Sequence, residues 1–171
     1  MTDFETWYVR EHPRLVRAMT VLYGEAGPDL AAEACARCLE RWESPNPVAD
    51  PTAWTFRVAV NVARSRARRR RLERDRLHRA GPSEVVAGPS EPDLELWEAI
   101  RALPPRQRTA IVLRYAAGLS EAQTAAVMGI ATGTVGATTA AARRRLAEAL
   151  GPDPRSAGDD DTEPEEVDRV P

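Results

Sequence analysis

No lysine occurs among the 171 residues, so all 24 basic side chains are arginine. That absence excludes chemistry built on a primary amine: a Walker-type phosphate loop and a pyridoxal Schiff base each need a lysine. Histidine is nearly as scarce, with only His12 and His78, so a histidine-dependent triad or metal site is poorly supplied. Cysteine is limited to Cys35 and Cys38, and no second pair exists to complete a zinc site. Their C-x-x-C spacing also occurs in redox proteins. Inside a helix, however, it puts both on one face beside Leu39 and Trp42, which is a core pattern. No apolar run approaches about eighteen residues, and the N-terminus carries Asp3 and Glu5 in place of a signal-peptide pattern. These absences together predict a cytoplasmic protein with no membrane insertion, metal site, cofactor or enzymatic apparatus.

Aromatics are also few, at 5% against 43% hydrophobic residues overall, and alanine fills the difference, which favours small helical bundles over a sheet sandwich. Arginine suits contact with nucleic acid because its guanidinium bonds phosphate and guanine edges bidentately. A GC-rich genome produces the same bias equally well. Charge is distributed unevenly. Residues 151–171 hold eight acids against Arg155 and Arg169, a balance of −6 in a chain whose total is −2, so the remainder carries +4. A basic body with an acidic tail points toward nucleic-acid binding.

Along the chain, Phe4, Trp7, Tyr8, Leu15, Met19 and Leu22 recur at helical spacing, with Pro13 expected to kink or interrupt the helix. After a turn over 24–28, Leu30, Ala34, Cys38 and Trp42 mark a second helix. The segment 44–50 holds Pro45 and Pro47 and is a loop. Trp54, Phe56, Val58, Val60 and Val62 alternate as a strand would. Yet Trp54, Val58 and Val62 also fit a helix, and Asp50 with Pro51 reads as its cap and first position. The helical reading continues into an arginine run from Arg64 to Arg79. Glycine and proline then dominate residues 80–92, the composition of a flexible linker.

Beyond it, Leu94, Trp97, Ile100 and Leu103 share a face, and Pro105 opens a helix with Ile111, Val112 and Tyr115 apolar that ends near Gly118. Ser120 with Gln123 forms a capping box, Gly129 a left-handed stop, and Thr132 a cap for a final helix to about Leu150. Short helix, glycine turn and longer helix make a helix-turn-helix. The acidic residues 151–171 lack the apolar surface to order themselves. The expected fold is all-α, with helical domains at 1–79 and 93–150, a linker at 80–92 and a disordered tail.

The combination over 103–146, L-P-P-R-Q-R, L-S-E-A-Q-T-A-A-V-M-G-I, G-T-V and R-R-R-L, resembles region 4 of bacterial sigma factors. Asp29, Leu30 and Glu33 resemble the acidic motif of their region 2, and Trp54, Asn61 and the following arginines its DNA-facing helix. With no counterpart of the other sigma regions, the chain is similar to the extracytoplasmic-function group over about residues 4–77 and 94–148. The resemblance implies that Asp29, Leu30, Glu33, Arg37 and Arg41 meet core RNA polymerase, whose β′ and β subunits are the expected partners. It implies minus-ten contacts for Trp54, Arg57, Asn61, Arg64, Arg68 and Arg69, with a flipped base held near the 44–50 loop. Minus-thirty-five contacts fall to Arg106, Arg108, Thr132, Thr134, Ala137, Thr138, Arg143 and Arg144, and an anti-sigma factor is a further expected partner.

One departure stands out. Gly136, Ala137 and Ala141 occupy recognition-helix positions where the family places Lys, Ser and Arg, removing bidentate base readout there. Two functions follow from this reading. The first is a promoter-recognition subunit that recruits core polymerase and initiates transcription. The alternative is a sigma-like interaction protein that has lost minus-thirty-five readout and acts by binding core polymerase or an anti-sigma partner.

Overall fold

The computed structural model describes residues 3–42, 44, 48–77 and 94–151, and every regular element among them is helical. The expected linker and acidic tail, and Arg79, lie outside the described residues.

Helix α1 spans Phe4–Tyr23. It starts where the Asp3 carboxylate accepts the Thr6 amide proton at 2.7 Å, a hydrogen bond that holds the Asp3 pKa below its ordinary value. Pro13, expected to interrupt this helix, lies inside it without ending it. A 3-10 turn at Gly24–Ala26 leads to α2, Gly27–Trp42. A Cβ built on Gly27 would lie 2.5 Å from Thr20 Cα and 2.7 Å from the Met19 carbonyl carbon, so the two helices meet backbone to backbone there. Leu30, Ala31, Ala34, Cys35 and Cys38 form the buried stripe of α2. Leu39, expected in the core, is 39% exposed, because one residue beyond Cys38 turns it about 100° off the stripe.

The segment with strand-like alternation is helical: α3 runs Pro51–Leu77. Asp50 caps it, its carboxylate accepting the Ala53 amide proton at 2.9 Å, and Phe56, Ala59, Val60 and Ala63 are buried at helical spacing. In the second half, α4 spans Leu94–Ala102 and α5 Pro105–Ile111, with Pro105 in the first turn. A π turn, Val112–Ala116, extends α5, the Ala117 amide reaching the Val112 carbonyl at 2.9 Å. The wider turn shifts the phase of the side chains. Tyr115, expected on the apolar face, is accordingly 61% exposed while Val112 and Leu113 are buried. Leu94 also points outward, at the helix start, while Leu103 is buried.

Helix α6, Glu121–Met128, carries the complete capping box, with Gln123 N to Ser120 Oγ at 3.1 Å and Ser120 N to Gln123 Oε1 at 3.0 Å. Gly129 stops it in the left-handed region at φ 68. Helix α7 spans Thr132–Leu150, and its N-cap is Ala131, not the expected Thr132. The turn set by Gly129 is one residue tighter than the sequence suggests, so the Ala131 carbonyl takes the first helical bond, from the Thr134 amide at 2.9 Å.

The two halves share a core. Trp7, Leu15, Met19, Leu30, Phe56 and Val60 are continuous with Val112, Leu113, Leu119, Val127 and Met128. A smaller cluster of Leu103, Ile111 and Ala142, flanked by Leu146, holds α7 to α4 and α5.

Candidate nucleic-acid and polymerase interface

Burial of one α3 face presents the other to solvent. Arg57, Asn61, Arg64 and Arg68 fall three or four residues apart and are all exposed, so four of the six residues assigned to minus-ten DNA form one outward stripe, with Arg69 exposed about 100° around the helix from it. The sixth, Trp54, is half-buried at the head of the helix. There it joins Arg37, Glu40, Arg41 and Ser44 around a cleft of about 390 Å³. The cleft therefore joins residues expected to meet polymerase with one expected to meet DNA.

On α2, Asp29, Arg37 and Arg41 are exposed. Glu33 is gripped from two sides, by Arg37 at 2.6 Å and by Arg66 of α3, so it ties α2 to α3 as well as facing outward. Leu30 departs from the expected surface: at 1% exposure it belongs to the core and supports the α2 face from beneath.

On α7, Thr132, Thr134, Ala137, Arg143 and Arg144 are exposed and Thr138 half-buried. The Thr138 hydroxyl donates to the Thr134 carbonyl at 2.6 Å, which commits its proton to the helix backbone. Gly136 stands in open space, a Cβ there having no neighbour nearer than Glu121 Oε1 at 4.0 Å. Arg106 is exposed on α5. Arg108 is set apart from the α7 group, lining a cavity of about 670 Å³ between the halves with Arg66, Arg70, Arg101 and Tyr23. Burial pushes the Tyr23 hydroxyl pKa up, opposed by Arg64 and Arg108.

The halves are closed together by contacts that no local sequence pattern marks. Arg14 donates from Nε and Nη2 to the Ala117 carbonyl, at 3.0 and 2.6 Å, just before the helix-turn-helix. Its Nη1 is held at 2.7 Å by Glu11, a carboxylate only 3% exposed. Asp50, the α3 cap, also accepts from Gln123 Nε2 of the α6 capping box at 3.0 Å. A signal was available for Glu11, which sits on the apolar stripe between Trp7 and Leu15 at four-residue spacing. The cysteines behave as core residues. Both are free and buried, and burial, with Cys38 adjacent, pushes the Cys35 thiol pKa to about 12.

The Sigma-70 region 2 family matches residues 7–73 and the Sigma-70 region 4 family residues 93–146. RNA polymerase sigma-E factor of Streptomyces antibioticus is 34% identical over 71% of this chain and 69% of its own. The ECF RNA polymerase sigma factor EcfG of Rhodopseudomonas palustris is 32% identical over 73% of this chain and 76% of its own. The chain belongs to the extracytoplasmic-function sigma factors. Among solved structures, this sigma factor is similar to RpoE of Bartonella quintana, determined in complex with the anti-sigma factor NepR. The TM-score is 0.78 at 27% identity, covering 90% of this chain and 99% of that one. No single helix among the described residues of this sigma factor is long and apolar enough to cross a membrane.

Proposed function

We propose that this sigma factor binds core RNA polymerase, directs it to promoters and helps open the duplex, with no catalytic chemistry of its own. The observation that carries the reading is the exposed α3 stripe of Arg57, Asn61, Arg64 and Arg68 beside the Trp54 cleft. Cations on one rigid face neutralise phosphates and release counterions, which drives DNA association. An aromatic-edged cleft beside them gives an unstacked base a place to sit, offsetting the few kcal/mol of flipping.

Asp29, Arg37 and Arg41, with Glu33 between them, form the surface assigned to the polymerase β′ subunit. The exposed residues of α7 are assigned to the minus-thirty-five element. Arg143 and Arg144 lie two turns beyond Thr134 and suit phosphates better than base edges. Boundaries near 79 and 93 separate the domains carrying these two activities, and the protein acts in the cytoplasm with its polymerase. An anti-sigma factor is a further partner. The support is the Bartonella relative, solved with one, whose fold matches this closed arrangement over 90% of the chain.

The test is transcription in vitro, with purified core polymerase and this protein on a library of genomic promoter fragments. Initiation from a discrete promoter set is expected. Stable core binding with no initiation from any fragment would instead favour the non-initiating interaction protein.

A further inference from the structure

Both oxygens of the Glu33 carboxylate are taken. Oε1 accepts from Arg37 Nη2 at 2.6 Å, one turn along α2, and Oε2 accepts from Arg66 Nη2 of α3. The Glu33 side chain is 29% exposed against 51% for Arg37. Asp29, Glu33, Arg37 and Arg41 recur every four residues and so follow one line on α2. Within that line the carboxylate is occupied from two sides, and the Arg37 guanidinium is the more open group.

Arg66 owes its place to the core. Phe56, Ala59, Val60 and Ala63 make the buried stripe of α3, and Arg66 follows Ala63 by three residues, on the same side of the helix. Helix α2 packs along α3, so a long side chain at this point reaches the neighbouring helix, where its guanidinium meets Glu33. Arg66 is not among the residues assigned to polymerase or DNA, yet it anchors one of them.

An unrestrained arginine samples many rotamers, and ordering it on binding costs affinity. The Arg37 guanidinium is already tied to a carboxylate that is itself tied to a second helix. Ion pairs this exposed add little to stability, so the consequence falls on orientation. Arg37 also edges the cleft of about 390 Å³ beside Trp54, so its direction matters on both sides.

We propose that Arg66 and Glu33 are positioning residues for Arg37. Arg66 holds the Glu33 carboxylate, Glu33 holds the Arg37 guanidinium, and of the three only Arg37 touches polymerase. The proposal rests on the reading of the α2 face as the polymerase surface. It changes the role of Glu33 there from contact to support, and it gives a role to Arg66 on another helix.

Affinity of the full chain for immobilised core RNA polymerase tests it, with the fold of each variant checked by circular dichroism and urea midpoint. Glu33→Gln and Arg66→Gln should each weaken binding about fivefold, the effect of reordering one released arginine. The two substitutions shift the local charge in opposite directions, so a long-range field effect would strengthen one complex and weaken the other. Arg66 gives Glu33 a single N–H contact, which an ammonium can replace, so Arg66→Lys should recover most of the affinity. In an Arg37→Gln background neither Glu33→Gln nor Arg66→Gln should weaken binding further, because both act through the side chain already removed.

Opposite changes for Glu33→Gln and Arg66→Gln overturn the proposal, as does an Arg66→Lys variant that binds no better than Arg66→Gln. A Glu33→Gln loss that persists undiminished in the Arg37→Gln background means that Glu33 touches polymerase itself, which overturns it too. Each of these results leaves the polymerase surface standing, because Arg37→Gln alone still weakens binding. Unchanged affinity of Arg37→Gln instead removes Arg37 from that surface, and with it both the assignment and the proposal.

Discussion

Cys35 and Cys38 illustrate how a short motif loses its chemical meaning through burial. A C-x-x-C pair is reactive when exposure and nearby positive charge favour the thiolate. Here burial raises both pKa values, that of Cys35 from 9.0 to about 12. At pH 8 the native Cys35 thiolate is then roughly one part in ten thousand. Neither cysteine should react with a thiol reagent within an hour in native buffer, and both should react once the chain is denatured. Rapid native labelling would contradict their assignment to the core. The linkage sign is also fixed. An unfolded thiol ionises near 9.0 while the native one stays protonated to about 12, so stability is fully present below pH 9 and declines as pH rises through that window. Denaturant midpoints at pH 8 and pH 10 should show that loss.

Gly27 and Gly136 look alike in sequence and have opposite roles. A Cβ at Gly27 meets the α1 backbone at 2.5 Å, and backbone cannot rotate away as a side chain can. Gly27→Ala should cost at least about 2 kcal/mol, read as a lower urea midpoint with unchanged slope. At Gly136 a Cβ meets nothing nearer than 4.0 Å. Gly136→Ala should stabilise α7 by up to about 1 kcal/mol, through helix propensity alone. A loss of stability there would mean that the site is more crowded than its geometry indicates.

At the level of elements, the proposed function has α3 and α7 divide the work of reading a promoter unequally. The exposed arginines of α3 continue past its packed half as a rod suited to phosphates. Changing Arg68 to Arg71 to alanine should weaken binding to all DNA sequences alike and flatten the salt slope by up to about 0.9 per lost phosphate contact. Loss confined to one sequence would show that these residues read bases. On α7, Thr138 spends its proton on the backbone, and Gly136 and Ala137 offer no polar reach. On the proposed residue assignments, promoter choice is expected to lean on the minus-ten side and on DNA shape. In saturation mutagenesis of a dependent promoter, single mismatches at minus thirty-five should cost less than the about 1–3 kcal/mol typical of a well-read position. A steep base-specific profile there would refute weak readout.

For the whole molecule, the decisive contacts are those between the halves. Glu11 is a buried carboxylate satisfied by Arg14 and Arg10 at 2.7 and 2.8 Å. Arg14 in turn spans to Ala117, 103 positions along the chain. Removing one partner of such a pair leaves a poorly compensated buried charge. The side chain of Arg14 is one-third exposed, so solvent screening discounts the effect. Arg14→Ala should cost about 2 kcal/mol and loosen the closure. Small-angle scattering should record a larger radius of gyration with helical circular dichroism unchanged. Identical scattering from the variant would show that the shared apolar core alone holds the halves.

The amino-acid sequence by itself determined the helices and their punctuation. Asp50–Pro51, Ser120 with Gln123, and Gly129 act through hydrogen bonds or dihedral limits that span a few residues, and such signals are readable locally. It determined the family as well, because the region 4 motifs are dense and short-ranged. The ambiguous stretch from Trp54 to Val62 became a helix because Phe56, Ala59, Val60 and Ala63 found a common core to bury against, a partner that alternation alone does not reveal. Tyr115 turned outward through a π turn, a consequence of neighbouring backbone, whereas the burial of Leu30 follows the apolar stripe it shares with Ala34 and Cys38. Only the tertiary structure decided that the halves close on one another, that Glu11 and Arg14 lie in that seam, and that arginines far apart in the chain line one cavity. Contacts across 103 residues leave no periodicity in the sequence, since they depend on the shape of two surfaces that exist only after each has folded.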